Sequence, residues 1–287
     1  MRFGKIDYLN LAPFDIFIKA YPLPSSFKKF LHLHRSYPAK LNKDFLFGRI
    51  DAGFISSIAG YSSHQKGLAT TSGIIAKGEV WSVLVLPHDA KKDYQSATSN
   101  ALCEVLGLQG EVLIGDRALS RHYAQNRHAK ARQTREQRSS AKKPQKYNKS
   151  DKSKDIDMGE AWFERHGLPF VFGRLCFNKH TRIYTKLSKH FSQKRIKIPH
   201  YLLESYAAKS QIDKKYIQEY LKHIYYHIGT KEMLGLKRFY RELLFRRIKK
   251  PMRFASSLLA STPHTSSKMP KDKSNSADCN NPPLLGH

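Results

Sequence analysis

Asp157 to Gly173 reads DMGEAWFERHGLPFVFG and joins a short acidic-headed helix to an aromatic-rich extended run across a Gly-Leu-Pro junction. Asp157 is placed to cap a helix through Glu160, Ala161, Trp162 and Glu164, and Gly167 suits the left-handed residue that ends it. Pro169 blocks further helix, and Phe170, Val171 and Phe172 favour extended backbone. Taken alone, the stretch reads either as a structural joint beside a ligand site or as ordinary core, and its agreement with other segments favours the first.

The rest of the chain agrees. Strands are expected at Arg2 to Asp7, Asp51 to Ser56, Gly73 to Ala76, Trp81 to Leu86, Glu111 to Ile114 and Phe170 to Phe177, the last of them. A loop is expected over Leu9 to Ala12. Phe30 to Arg35 alternates Phe30, His32 and His34 with Leu31, Leu33 and Arg35, as a strand would, although a short helix also fits. Helices are expected from Pro13 to Ala20, from Pro38 to Phe47 with Gly48 as the stop, and from Ala97 to Leu106, opened by Thr98 and Ser99. After Phe177 only helical patterns follow: His180 to His190, His200 to Ala208, Asp213 to Ile228 and Lys231 to Ile248. Alternation of strands with helices gives an α/β architecture with a helical C-terminal region.

At 287 residues and 40% hydrophobic content the chain can form one large domain or two lobes. Lys and Arg number 51 against 23 Asp and Glu, a net charge of +28, which suggests nucleic acid, acidic membrane or an anionic substrate. The distribution of charge decides among them. Arg121 to Lys154 holds twelve Lys or Arg against Glu136 and Asp151, with only Tyr123 and Tyr147 as large apolar groups. Such a segment buries too little to offset its ordering entropy, so 121–155 is expected to be disordered, as is the Ser-, Pro- and Lys-rich tail 251–287.

No targeting segment is visible, since Arg2, Lys5 and Asp7 interrupt the N-terminus, so a cytoplasmic protein is expected. No window supplies the ~20 apolar residues of a membrane span. Cys103, Cys176 and Cys279 are too dispersed for a local metal motif and are expected as thiols, and the His residues show no HExxH spacing, so no metal site is expected.

In an α/β sheet, ligand contacts come from segments just after strands. Here those are Tyr8-Leu9-Asn10, Ser56-Ser57, Ser96-Ala97-Thr98-Ser99-Asn100 and Gly115-Asp116-Arg117, unusually rich in small hydroxyl and amide groups. Several open helices, whose free N–H groups and positive dipole end attract an anion. Any one Ser or Thr could simply cap its helix; four such segments in one chain favour a carboxylate-bearing small molecule.

The segments IDYLNLAPF (6–14), GRIDAGFISS (48–57), SVLVL (82–86), SATSNAL (96–102), VLIGDRAL (112–119), DMGEAWFERHGLPFVFG (157–173) and HIGTKEMLGLKRF (227–239) resemble, in order, those of the chorismate dehydratases that open the futalosine route to menaquinone. The resemblance covers most of the chain outside the insert and tail. It implies the two-lobed, type II periplasmic-binding-protein-like fold used as a cytosolic enzyme, with residues 1–80 plus 178–250 in one lobe, 81–177 in the other, and a hinge at Gly73 to Leu86 and near Phe177. The implied reaction removes water from chorismate to give 3-[(1-carboxyvinyl)oxy]benzoate, without metal or organic cofactor.

By the same resemblance Asn10 is the catalytic candidate. An amide cannot act as a base, so its role would be to hydrogen-bond substrate and hold the reacting geometry. Ser56, Ser57, Ser82, Thr98 and Ser99 are the implied substrate contacts. Asp116 could orient a catalytic group, cap the following helix, or pair with a base such as Arg117. Glu160, Trp162 and His166 read as structural.

Two departures stand out. The basic segment Ser120 to Ile156 replaces what is usually a short connection in the family; it reads either as a tolerated insertion or as a weak anion-binding arm. Pro87 stands where the family tends to a small hydroxyl residue. Competing readings are a noncatalytic small-anion-binding protein of the same fold, the related 1,4-dihydroxy-6-naphthoate synthase, and a nucleic-acid-binding protein. The last lacks any recognition-helix or RNP-like pattern, so chorismate is the expected partner and no specific nucleic acid is expected. No feature of the sequence specifies an oligomeric state.

Overall fold

Two β-sheets carry the architecture of the computed structural model, which describes residues 1–139, 154–194 and 196–251. The chain divides into a unit Met1–Arg253 and a unit Phe254–His287, the second lying outside the described residues. In order the elements are β1 (Phe3–Ile6), a 3-10 turn (Leu9–Leu11), α1 (Ala12–Ala20), α2 (Ser25–Leu33), β2 (Arg35–Ser36), α3 (Pro38–Leu46), β3 (Ala52–Ser56), α4 (Tyr61–Gln65) and β4 (Ala69–Ala76). There follow β5 (Val83–Leu86), α5 (Ala97–Leu106), β6 (Glu111–Ile114), α6 (Gly115–Ser139), β7 (Ile156–Asp157), α7 (Met158–His166) and β8 (Phe170–Phe177). The chain then forms α8 (Thr181–Ser192), α9 (His200–Ser210), α10 (Lys214–Lys222), β9 (Tyr225–His227) and α11 (Thr230–Phe245).

The larger sheet has the order β2-β1-β3-β8-β4-β9, and the smaller one β6-β5-β7. β1 runs parallel to β2 and β3, whereas β8 is antiparallel to both β3 and β4, and β9 is antiparallel to β4. β5 is antiparallel to both of its neighbours. The larger sheet is therefore mixed rather than parallel. Glycines let its middle strands approach closely: a Cβ on Gly53 would lie 2.8 Å from the Gly4 carbonyl oxygen, and one on Gly73 would lie 2.8 Å from that of Gly173.

The opening joint forms as expected. Asp157 caps α7, its Oδ1 accepting from the Gly159 and Glu160 N–H groups, and Gly167 ends the helix at φ 61°. Trp162 is fully buried against Phe170 and Phe239, with ring centroids 5.1 and 6.1 Å away, so its role is packing. The His166 ring lies 4.1 Å from the Trp162 ring, at the end of the same helix.

Four expectations are corrected. The Phe30 to Arg35 strand is mostly α2: Pro24 stands at its N-cap, Phe27 and Leu31 share a buried face one turn apart, and only Arg35–Ser36 is extended. The loop at Leu9 to Ala12 closes into a 3-10 turn with the Leu11 N–H bonded to the Tyr8 carbonyl. Phe177 does not end the last strand, because Tyr225–His227, read as helix, pairs along β4 as an edge strand; tertiary pairing overrides the local pattern there. The basic segment is helical as far as Ser139. Its Ala, Arg, Gln and Lys residues are strong helix formers. Its first turns are also tethered by polar side chains: Arg121 and Gln125 donate to Asp155 at 2.9 and 2.8 Å, Asn126 donates to Tyr216, and Tyr123 donates to Asp213. Residues 140–153 and 252–287 lie outside the described residues.

Candidate functional site

A narrow cleft of about 50 Å³ lies where the two sheets face each other. Its walls come from the carboxyl end of β1 and the turn after it (Ile6, Tyr8, Asn10), from Pro38, Ser56 and Ile74, and from the β8 pair Phe172 and Gly173. Across from these stand Val80, Ser82, Val83, Ser96, Ser99, Ile114 and Gly115. The polar side chains of the lining are hydroxyls and one amide, with no carboxylate, imidazole or amine among them.

Each polar group is positioned by its element. Ser96 is the N-cap of α5, its Oγ accepting the Ser99 N–H at 3.1 Å and donating to Ser99 Oγ at 2.8 Å. The Ser96–Ser99 pair thus sits at the positive end of a ten-residue helix. Ser56, at the end of β3, is held by α3, since its N–H donates to Asn42 Oδ1 and its Oγ accepts from Asn42 Nδ2 at 3.0 and 2.7 Å. Ser82 accepts from the Tyr220 hydroxyl at 3.0 Å and donates to the Val80 carbonyl at 3.3 Å. Asn10 occupies the middle of the 3-10 turn, and its Oδ1 is buried without a hydrogen-bond partner.

Asn10, Ser56, Ser82 and Ser99 are brought together in the cleft, whereas Ser57 and Thr98 are not part of its lining. Ser57 Oγ donates to the Val171 carbonyl, and Thr98 Oγ1 accepts the Ile58 N–H at 3.1 Å, tying α5 to the loop after β3. Tyr8, Ser96, Gly115 and Gly173 also line the cleft; the first three stand in segments expected to meet a ligand, though not among the expected site residues. For Ser96 a further signal existed, a Ser three residues before another Ser at a helix start. For Gly173 none did. Gly115 has φ 63°, and a Cβ there would lie 2.8 Å from the Tyr8 ring, a relation between segments over a hundred residues apart.

The electrostatics around the cleft are set by burial. Asp116 does not pair with Arg117; its Oδ1 accepts the Leu9 N–H at 2.9 Å, and burial pushes its pKa up to about 6. Arg117 instead donates to Asp93 at 2.6 Å and to Gln95 at 3.2 Å. The Tyr8 hydroxyl donates to the same Gln95 Oε1 at 2.6 Å, and burial raises its pKa well above the usual phenol range. Among the described residues no group of three or more His, Cys, Asp or Glu is arranged to hold a metal, and no helix is long and apolar enough to cross a membrane.

Residues 1–243 match the family model for menaquinone biosynthesis. The chain is 41% identical over 241 residues to a chorismate dehydratase of Campylobacter jejuni subsp. jejuni serotype O:23/36 (strain 81-176), covering 83% of this chain and 96% of that protein. It is 26% identical over 275 residues to a chorismate dehydratase of Thermus thermophilus, covering 82% and 92%. Among solved structures, a protein of Archaeoglobus fulgidus aligns with a TM-score of 0.54 at 12% identity, over 86% of this chain and 98% of that one. The alkanesulfonate-binding protein SsuA of Xanthomonas axonopodis pv. citri aligns with a TM-score of 0.45 at 12% identity, over 86% and 93%. The expected α/β class stands, with strands and helices alternating through β8.

Proposed function

From the premise that the chain belongs to the menaquinone biosynthesis family, we propose that it is a chorismate dehydratase, a hydro-lyase that converts chorismate to 3-[(1-carboxyvinyl)oxy]benzoate and water. The observation that carries this reading to particular residues is the cleft, where one buried amide oxygen without a partner faces hydroxyls gathered at a helix start.

In this reading a substrate carboxylate is held by Ser99 at the positive end of α5, its hydroxyl oriented by the proton that Ser96 donates to it, with Ser56 as a further donor and Ser82 joining once its proton turns from the Val80 carbonyl. Asn10 hydrogen-bonds the substrate beside the reacting carbons. Elimination removes a ring proton and the hydroxyl, breaking a C–H and a C–O bond while the cyclohexadiene becomes a benzene ring. Charge that builds beside the ring carboxylate is stabilised by donors already aimed there. The one titratable side chain of the lining, the Tyr8 phenol, donates its proton to Gln95 Oε1, so in this reading the substrate's own carboxylate relays the proton to the departing hydroxyl. No protein-bound metal or organic cofactor enters this scheme.

The cleft is far smaller than the ~300 Å³ at which ligand pockets begin. We therefore take the protein to work as two lobes that part to admit substrate, residues 1–80 plus 178–250 against 81–177, with β8 reaching back into the larger sheet. The described cysteines, Cys103 and Cys176, are unpaired thiols, which supports action in the cytoplasm. The test is direct. Purified protein given chorismate alone should yield the aromatic product by ultraviolet absorbance and chromatography, and Asn10→Ala should abolish this while unfolding at the wild-type temperature. Folded protein that leaves chorismate unchanged would sink the assignment.

A further inference from the structure

We propose that Asp116 and Tyr226 are positioning residues that fix the Asn10 amide from two sides of the cleft, an inference that rests on the role given to Asn10 above. Asn10 lies in a three-residue 3-10 turn, and its N-cap residue Tyr8 makes no side-chain capping bond. So short a helix leaves most of its backbone groups without internal partners. Two of them are met by side chains distant in sequence. The Leu9 N–H donates to Asp116 Oδ1 at 2.9 Å, and the Asn10 carbonyl oxygen accepts the Tyr226 hydroxyl at 2.5 Å.

The two clamps come from different parts of the fold. Asp116 stands in the first turn of α6, directly after β6 of the smaller sheet, while Tyr226 is the middle residue of β9, the edge strand of the larger sheet. Neither lines the cleft, so neither is placed to touch substrate. One bond holds the backbone one residue before Asn10 and the other holds the Asn10 carbonyl, leaving the side chain with its unpartnered Oδ1 for the ligand. Burial raises the Tyr226 phenol far above its usual range, so the hydroxyl stays a donor at every working pH. A turn held at both ends bears its orientational cost in folding rather than at each turnover, which is where such residues gain rate.

Steady-state kinetics on the full chain test this with Tyr226→Phe, Asp116→Ala and Asp116→Asn. Tyr226→Phe and Asp116→Ala should each lower kcat by about 10- to 100-fold with KM changed by less than about threefold, since small misplacements of a reacting group cost that much. Asp116→Asn keeps an oxygen that can accept the Leu9 N–H and should recover most of kcat. Asp116→Asn as poor as Asp116→Ala, or losses confined to KM, would overturn the proposal. Amide hydrogen exchange at Leu9 reads the clamp without turnover: exchange should be slow in the wild type and at least about tenfold faster in Asp116→Ala, as expected when a bonded amide is released. Fast exchange in the wild type itself would overturn the clamp even if the variants failed to fold. A wild type that leaves chorismate unchanged while Leu9 stays protected would instead remove the functional reading and spare the geometry.

Discussion

The carboxylate of Asp157 accepts the backbone N–H of Trp81 at 2.6 Å across 76 residues of sequence, and that of Val80 at 2.9 Å on the same Oδ2. Its other oxygen caps α7, so one side chain satisfies four backbone donors. Burial nevertheless pushes its pKa up to about 6. Trp81 has φ 60°, a conformation a bulky residue adopts only when held. The helix cap of the joint is thus also the fastener of the connection between the two sheets.

Removing that fastener should be costly. Asp157→Ala leaves two connection amides and two helix-start amides without their acceptor, and should destabilise the protein by ~2–4 kcal/mol in urea denaturation. Asp157→Asn keeps one acceptor oxygen but turns an NH2 group toward the other pair of backbone N–H groups, so it should lose at least half as much. A loss near zero in both variants would show that these four bonds do not do the holding.

Asp116 should leave a signature in stability against pH. Its unfolded carboxyl titrates near ~3.9, and burial raises the folded value to about 6 against the Leu9 N–H and Lys209, with Asp7 acting in the same direction as burial. Between those values the folded state holds more protons. The contribution of Asp116 is therefore full below about pH 4 and is lost as pH rises through about 6. The stability of the wild type relative to Asp116→Asn should fall over that window, and a flat difference would contradict the raised value.

The cleft serines should separate into two groups. Thr98→Val and Ser57→Ala remove bonds internal to the fold and should each cost ~1 kcal/mol of stability with KM within about twofold of wild type. Ser99→Ala should instead raise KM for chorismate about tenfold or more, the worth of a hydrogen bond to a charged group. A Thr98→Val variant with the larger KM effect would return Thr98 to the substrate.

Gly115→Ala places a methyl group against the Tyr8 ring at a residue with φ 63°. The backbone strain should cost ~1–2 kcal/mol. Displacing Tyr8 should also disturb its bond to Gln95 and lower kcat/KM by about tenfold or more. Loss of stability with kcat/KM unchanged would show that Tyr8 is not part of the working cleft.

Local chemistry wrote much of this protein into its sequence. Asp157 and Gly167 marked the ends of α7 because a short carboxylate and a residue without Cβ are what those positions need. β1, β3, β6 and β8, together with the hydroxyl-rich segments after strands, were legible from the same local rules, and the ordered motifs pointed to the family. Contacts between remote segments decided the rest. β9 is a strand because β4 offers it an edge, and the start of the basic segment is anchored because Arg121, Tyr123 and Asn126 find Asp155, Asp213 and Tyr216. Ser57 and Thr98 turn inward to a carbonyl and an amide, while Asn10 keeps a buried amide oxygen without a partner. Periodicity and capping act over a few residues and are readable along the chain, whereas which hydroxyl is consumed by the fold and which is left for a ligand depends on partners that only folding brings within about 3 Å.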